Sequence, residues 1–134
     1  YCQEHNIAVV ARGPLGKGLL TGKYSTETVF TDSVRAEWYV TDRDREKLHR
    51  KLTKVERLKT ALAPGPEMVR SALQFVTSHE CQPVTVAGAK SPAQAAINAQ
   101  AGNATLSPEE RRRLVQLTKD TPTETKQPAS THHP

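Results

Sequence analysis

Long apolar runs are missing from this 134-residue sequence; the longest, Ile7-Ala8-Val9-Val10-Ala11, is five residues, against the ~20 that cross a bilayer. No charged-then-apolar leader precedes it, so this stretch is expected neither to enter a membrane nor to be exported by a signal peptide. Aromatic residues are few, with two Phe, one Trp and three Tyr. Apolar residues make up 36% of the chain, below the usual ~45–50%, so a large self-sufficient core is not expected. Only two cysteines occur, Cys2 and Cys81, with no CxxC or Cys/His spacing around them. That argues against a metal site and against a disulfide framework, and for a reducing, cytoplasmic setting. The chain opens on Tyr1 instead of Met, which reads as a first hint of a fragment.

Basic residues number 19 and acidic residues 14, a net charge of +5, and residues 42 to 62 alone hold eight basic against four acidic. The signs alternate there, and no aromatic platform or nucleic-acid motif accompanies them. A solvated helix face is the expectation. The rival is a small basic nucleic-acid-binding module using Arg43, Arg50 and Arg57, whose binding would weaken steeply with salt.

Residues 7 to 11 are too short for a helix and suit a buried parallel strand, and Val84-Thr85-Val86-Ala87, ended by Gly88, is a second. More than seventy residues with helical signals separate them, the spacing of a crossover and not of a hairpin. The implied class is α/β. Residues 13 to 41 read as an extended loop punctuated by Gly13, Gly16, Gly18 and Gly22. Leu48, Leu52, Val55, Leu58 and Leu62 recur every three to four residues and predict a helix over 42–62, stopped by Pro64-Gly65-Pro66. A second helix is predicted over 67–79, with Met68, Val69, Ala72, Leu73 and Val76 on one side. Ser91-Pro92-Ala93-Gln94 and Ser107-Pro108-Glu109-Glu110 each have the pattern of a capping box, and predict helices over 92–101 and 108–118. From Asp120 onward the composition predicts a disordered polar tail, leaving 1–119 as the folded portion. Two strands with their helices do not make a stable sheet, and a closed eight-stranded barrel needs about 250 residues. The order of elements suggests the last quarter to third of such a barrel, its last two strands with their helices.

Two glycine-and-lysine loops are candidates for chemistry. The first, ARGPLGKGLLTGKY over 11–24, lets backbone amides approach a ligand, but its spacing matches neither a P-loop nor a dinucleotide fingerprint; alone, its glycines read as turn formers first. The second, AGAKSPAQAAINAQ over 87–100, ends a strand at Gly88 and opens a helix at Ser91, so free amides and a positive helix end accompany Lys90. Locally, Ser91 and Gln94 as caps with a solvated Lys90 explain it as well. In β/α barrels the loops after strands seven and eight often build a phosphate site with a helix N-terminus. If these are those strands, both loops open on one side and a phosphate-bearing cofactor is the better reading.

Three pieces carry a resemblance: Pro14-Leu15-x-x-Gly18-Leu19-Leu20-Thr21-Gly22-Lys23-Tyr24, Gly88-Ala89-Lys90-Ser91-Pro92-Ala93-Gln94 with Asn98 four residues on, and Leu106-Ser107-Pro108-Glu109-Glu110. Together with Arg35 they resemble the closing part of the aldo-keto reductase family, notably the branch with bacterial reductases and potassium-channel β subunits. The resemblance implies a (β/α)8 barrel that passes hydride between NADPH and an aldehyde or ketone, or runs the reverse oxidation of an alcohol. It implies that Gly13, Leu15 and Lys23 contact the pyrophosphate with Arg35 assisting. Lys90 and Gln94 would hold the 2′-phosphate, Asn98 the adenine, and the amide of Gly88 or Ala89 the adjacent phosphate. A cationic Lys90 fits NADP over NAD. Two positions depart from the pattern: Arg12 stands where many relatives have an aromatic, and Ile97 where an acidic residue often precedes the Asn. The family's catalytic tyrosine, with its lysine, aspartate and histidine, belongs to the first barrel half, upstream of Tyr1. No catalytic residue is therefore assigned, and the segment alone is expected to be inactive and to need an N-terminal barrel half. A non-catalytic, nucleotide-sensing regulatory subunit is the alternative within the resemblance.

Overall fold

Thr41 is extended, and its side chain accepts from the Asp44 amide, opening helix α1 (Asp42–Leu58); the computed structural model describes residues 1–119. The polar tail expected over 120–134 lies outside the described residues. Helix α1 follows β1 (Val10–Arg12) and precedes α2 (Pro66–Thr77), β2 (Val84–Val86), α3 (Pro92–Gln100) and α4 (Pro108–Thr118).

Leu48, Leu52, Val55 and Leu58 of α1 are buried as their spacing predicted. The helix stops four residues short of the expected Leu62. Thr60 and Ala61 donate to Arg57 and Leu58, three residues back, which tightens the turn and brings Leu62 against the same core. The Gly65 amide then donates to the Thr21 carbonyl at 2.8 Å, tying the start of α2 to the first loop. That loop is not the open excursion its glycines suggested. It contains two short 3-10 stretches, Gly16–Thr21 and Ala36–Tyr39, and buries Leu19 and Phe30. Tyr24 and Trp38 meet the Phe30 ring edge-on, with centroids 4.6 and 5.1 Å away, an arrangement that favours aromatic pairs. A repeat near three residues, broken by glycine, hid these turns from a search for a 3.6-residue period.

Helix α2 joins two cores. Its Met68 belongs to the cluster of Leu19, Phe30, Leu48, Leu52, Val55 and Leu58, while Val69 and Leu73 pack with Ala101. Arg111 of α4 lies 4.5 Å over the Phe75 ring and donates to the Phe75 carbonyl, fastening α4 to α2. Ser107 and Glu110 form the predicted capping box. The Ser91 motif forms only half of one. Ser91 accepts from the Gln94 amide, but the Gln94 carboxamide reaches back to the Lys90 amide, one residue before the cap.

Strands β1 and β2 pair in parallel, with Val10 opposite Val84, Ala11 opposite Thr85 and Arg12 opposite Val86. The expected class is thereby met as a mixed helix and strand structure with a small parallel sheet. The expected burial is not. The ladder begins three residues later than Ile7, and Val10, Val84 and Val86 are 64%, 64% and 55% exposed. Only Ala11 and Thr85, on the other face, are half-buried. A parallel strand is buried when both faces are covered; here the described helices lie on one face.

Candidate cofactor site

Parallel pairing sends both strands out at the same end of the sheet. Arg12 and Val86 are register partners, so Gly13 and Ala87 start their loops side by side. Leu15 of the first loop, Ala87 of the second and Ile97 of α3 pack against the same cluster of Val69, Leu73 and Ala101. The apolar Ile97, where an acid was expected, thus helps cement the two loops together.

Two side chains of α3 shape the second loop. Gln94 Oε1 accepts from the Lys90 amide at 2.8 Å, and Asn98 Nδ2 donates to the Gly88 carbonyl at 3.3 Å. The backbone N–H groups of Gly88 and Ala89 have no protein acceptor among the described residues. The side chain of Lys90 is exposed and likewise has no partner among them. Gln94 keeps its NH2 donors and Asn98 its carbonyl oxygen for a further contact. These free donors, the start of α3 and the Lys90 ammonium suit an anionic group.

The first loop is held from outside by Arg35. Its Nε and Nη2 donate to the Lys17 carbonyl at 3.0 and 2.7 Å, and its Nη1 to Asp32 Oδ2 at 2.7 Å. The guanidinium sits 5.2 Å over the Tyr24 ring and 5.6 Å over Phe30. Gly18 makes room for it, because a Cβ there would stand 3.2 Å from Arg35 Nη2. Bonding by Arg35 holds the Asp32 carboxyl below its ordinary 3.8. Lys17 completes the clamp with an ion pair to Glu37 and a bond to the Val34 carbonyl at 3.3 Å. Lys23 is exposed, its ammonium 4.8 Å from the Tyr24 ring centroid.

Of the residues singled out in the sequence, Gly13 leaves the sheet at the same end as the strand that leads to Gly88, Ala89 and Lys90, Leu15 packs on the cluster that also takes Ala87 and Ile97, and Gln94 and Asn98 bond to the second loop. Lys23 and Arg35 belong to the clamp around Tyr24. No hydrogen bond, ion pair or ring contact among the described residues links either of them to the second loop. Sequence reasoning missed Asp32 and Lys17 as clamp members; the Asp32-x-x-Arg35 spacing was the available signal for the first, while Lys17 takes part through both its carbonyl and its ammonium, with partners 17 to 20 residues away that no local pattern marks.

Tyr39 donates to the Thr28 carbonyl at 2.9 Å and accepts from the Phe30 amide at 3.3 Å, so its hydroxyl serves the first loop. His5 is stacked on Tyr1, and His79 Nδ1 lies 3.4 Å from Cys81 Sγ. No cluster of metal-ligating side chains occurs among the described residues, and none of their helices is long and apolar enough to cross a membrane.

The sequence profile described as Aldo/keto reductase family matches residues 1–119. The chain belongs to the aldo/keto reductase family. It is also 32% identical over 114 residues to "Uncharacterized oxidoreductase YqkF" of Bacillus subtilis (strain 168), an alignment covering 85% of this chain and 35% of that protein. The chain spans about a third of the length of this curated relative, and the residues that the family profile matches include both loops.

Proposed function

We propose that this chain is the cofactor-gripping C-terminal part of an NADP-dependent aldo-keto reductase, contributing the last two strands of a (β/α)8 barrel. The observation that carries this reading is the meeting of the two loops on α2 at one end of a parallel pair. The open sheet face, with Val10, Val84 and Val86 exposed, supports a barrel interior completed by elements outside this chain. When bound, the cofactor would supply the hydride for a carbonyl substrate or accept one from an alcohol. Lys90 would pair with the 2′-phosphate and Gln94 would donate its free NH2 beside it. The amides of Gly88 and Ala89 would receive the neighbouring phosphate, and Asn98 the adenine. Gly13, Leu15 and Lys23 would face the pyrophosphate. Arg35 would act there by holding the Lys17 turn as well as by charge. Proton transfer is assigned to none of this chain's residues, so catalysis would depend on the completed barrel.

Titrating the intact protein with NADPH and NADH separately tests the assignment. A charged hydrogen bond is worth about 1.5–3 kcal/mol, so Lys90→Glu is expected to weaken NADPH by more than about tenfold and NADH by much less. An equal loss for both, or no loss, overturns the 2′-phosphate role.

A further inference from the structure

The cofactor reading leaves a hollow among the helices unused. Between α1, α2, α4 and the first loop lies a cavity of about 200 Å³ walled by Leu20, Leu58, Leu62, Met68, Phe75 and Leu114. None of the cofactor residues proposed above lines it, nor does the open sheet face of Val10, Val84 and Val86. The lining holds two hydroxyls, Ser71 and Thr118. Thr118 donates to the Leu114 and Val115 carbonyls at 3.2 and 3.0 Å. The other helix threonines, Thr53 and Thr77, return their hydroxyls to the backbone in the same way. Ser71 does not. It is 9% exposed, yet its hydroxyl has no partner among the described residues. Its oxygen is not sealed in protein either, because the enclosed side-chain polar atom left unpartnered among those residues is Thr85 Oγ1. Ser71 borders the apolar hollow and also a polar neighbour beside Glu67 and Gln74, so the free hydroxyl stands where an apolar space gives onto a polar one.

We infer that this hollow is a binding site for a small one-ring aromatic molecule carrying one hydrogen-bonding group, a phenol being the simplest. Size sets the ring, since an apolar cavity of about 150 Å³ takes benzene. The Met68 sulfur and the Phe75 ring in the wall favour an aromatic guest over an alkyl one. Ser71 sets the polar group. A buried hydroxyl without a partner is costly, and a guest's hydroxyl placed beside it removes that cost while the ring stays among the leucines. Val115, 41% exposed, gives a way in from solvent. It is also the one exposed large apolar residue of the lining, and so little open apolar surface selects a small molecule over a protein partner.

The test titrates phenol and toluene, which are alike in shape, into the intact protein by ligand-observed NMR. Phenol should bind with a Kd of about 1 mM, the range expected of so small a ligand. Ser71→Ala should weaken phenol about fivefold and leave toluene no weaker than before. Ala72→Phe, which adds a ring to the lining of the hollow, should remove binding of both while circular dichroism and NADPH binding stay unchanged. Absence of millimolar phenol binding, full binding retained in Ala72→Phe, or a Ser71→Ala effect that is missing or equal for the two ligands overturns the inference. Ser71→Ala deletes a single oxygen from a helix, so its result decides the matter where Ala72→Phe disturbs the fold.

Discussion

Gly22 is buried at φ +72°, and a Cβ added there would run into Met68 Sδ and come within 3.1 Å of Pro64 Cβ. The residue lets the end of the first loop lie against the start of α2, where one of the most deeply buried side chains, Met68, sits. Gly22→Ala is expected to cost about 2 kcal/mol through overpacking and backbone strain, seen as a lower urea midpoint. Gly102→Ala, which meets open space, should leave the midpoint nearly unchanged. Charge at the clamp is equally readable. Asp32 is held below its ordinary 3.8 first by the Arg35 hydrogen bond. A depressed carboxyl adds stability in full above its unfolded value, and loses it as pH falls through the lower folded value. The single tryptophan, Trp38, packs on Phe30 and reports this. Its emission should hold steady down to about pH 4 and change below, whereas Asp32→Asn should show the altered emission at neutral pH with no acid step. A shared, unchanged profile would refute the clamp.

Elements divide by how their ends are made. In α4 the Ser107 side chain takes the Glu110 amide, and Glu110 returns a carboxylate to the Ser107 amide at 2.7 Å, which lowers the Glu110 pKa. In α3 the corresponding glutamine is diverted to the Lys90 amide, so one motif makes a cap while its twin makes both a cap and a loop. Ser107→Ala should destabilise α4 by about 1 kcal/mol, measured as a drop in denaturation midpoint. Helix positions and caps were legible because they depend on neighbours within four residues. The boundaries near Leu62 and the 3-10 turns over 16–21 and 36–39 were not. Those are set by the Thr21–Gly65 bond and by the packing around Phe30, across dozens of residues.

Across the whole molecule, two helical cores share α2, while the sheet carries an open face with Val10, Val84 and Val86. Two short strands without further neighbours are marginal, and open edges invite pairing with other chains. The 134-residue chain expressed by itself is expected to self-associate, giving a concentration-dependent mass by light scattering. Val10→Lys with Val86→Lys should shift it toward the monomer; a monomer with a sharp melt before any substitution would contradict this.

By itself the sequence determined the helices and the serines that cap α3 and α4, because these follow from local hydrogen bonding and the period of apolar residues, while the two loop motifs marked the family through their resemblance to it. The tertiary structure alone decided that Leu15, Ala87 and Ile97 share one cluster, that Arg35 closes on Lys17 and Asp32, and that one sheet face stays open. Each of these depends on which distant groups compete for the same side chain or surface, and that competition is resolved only when the chain is packed.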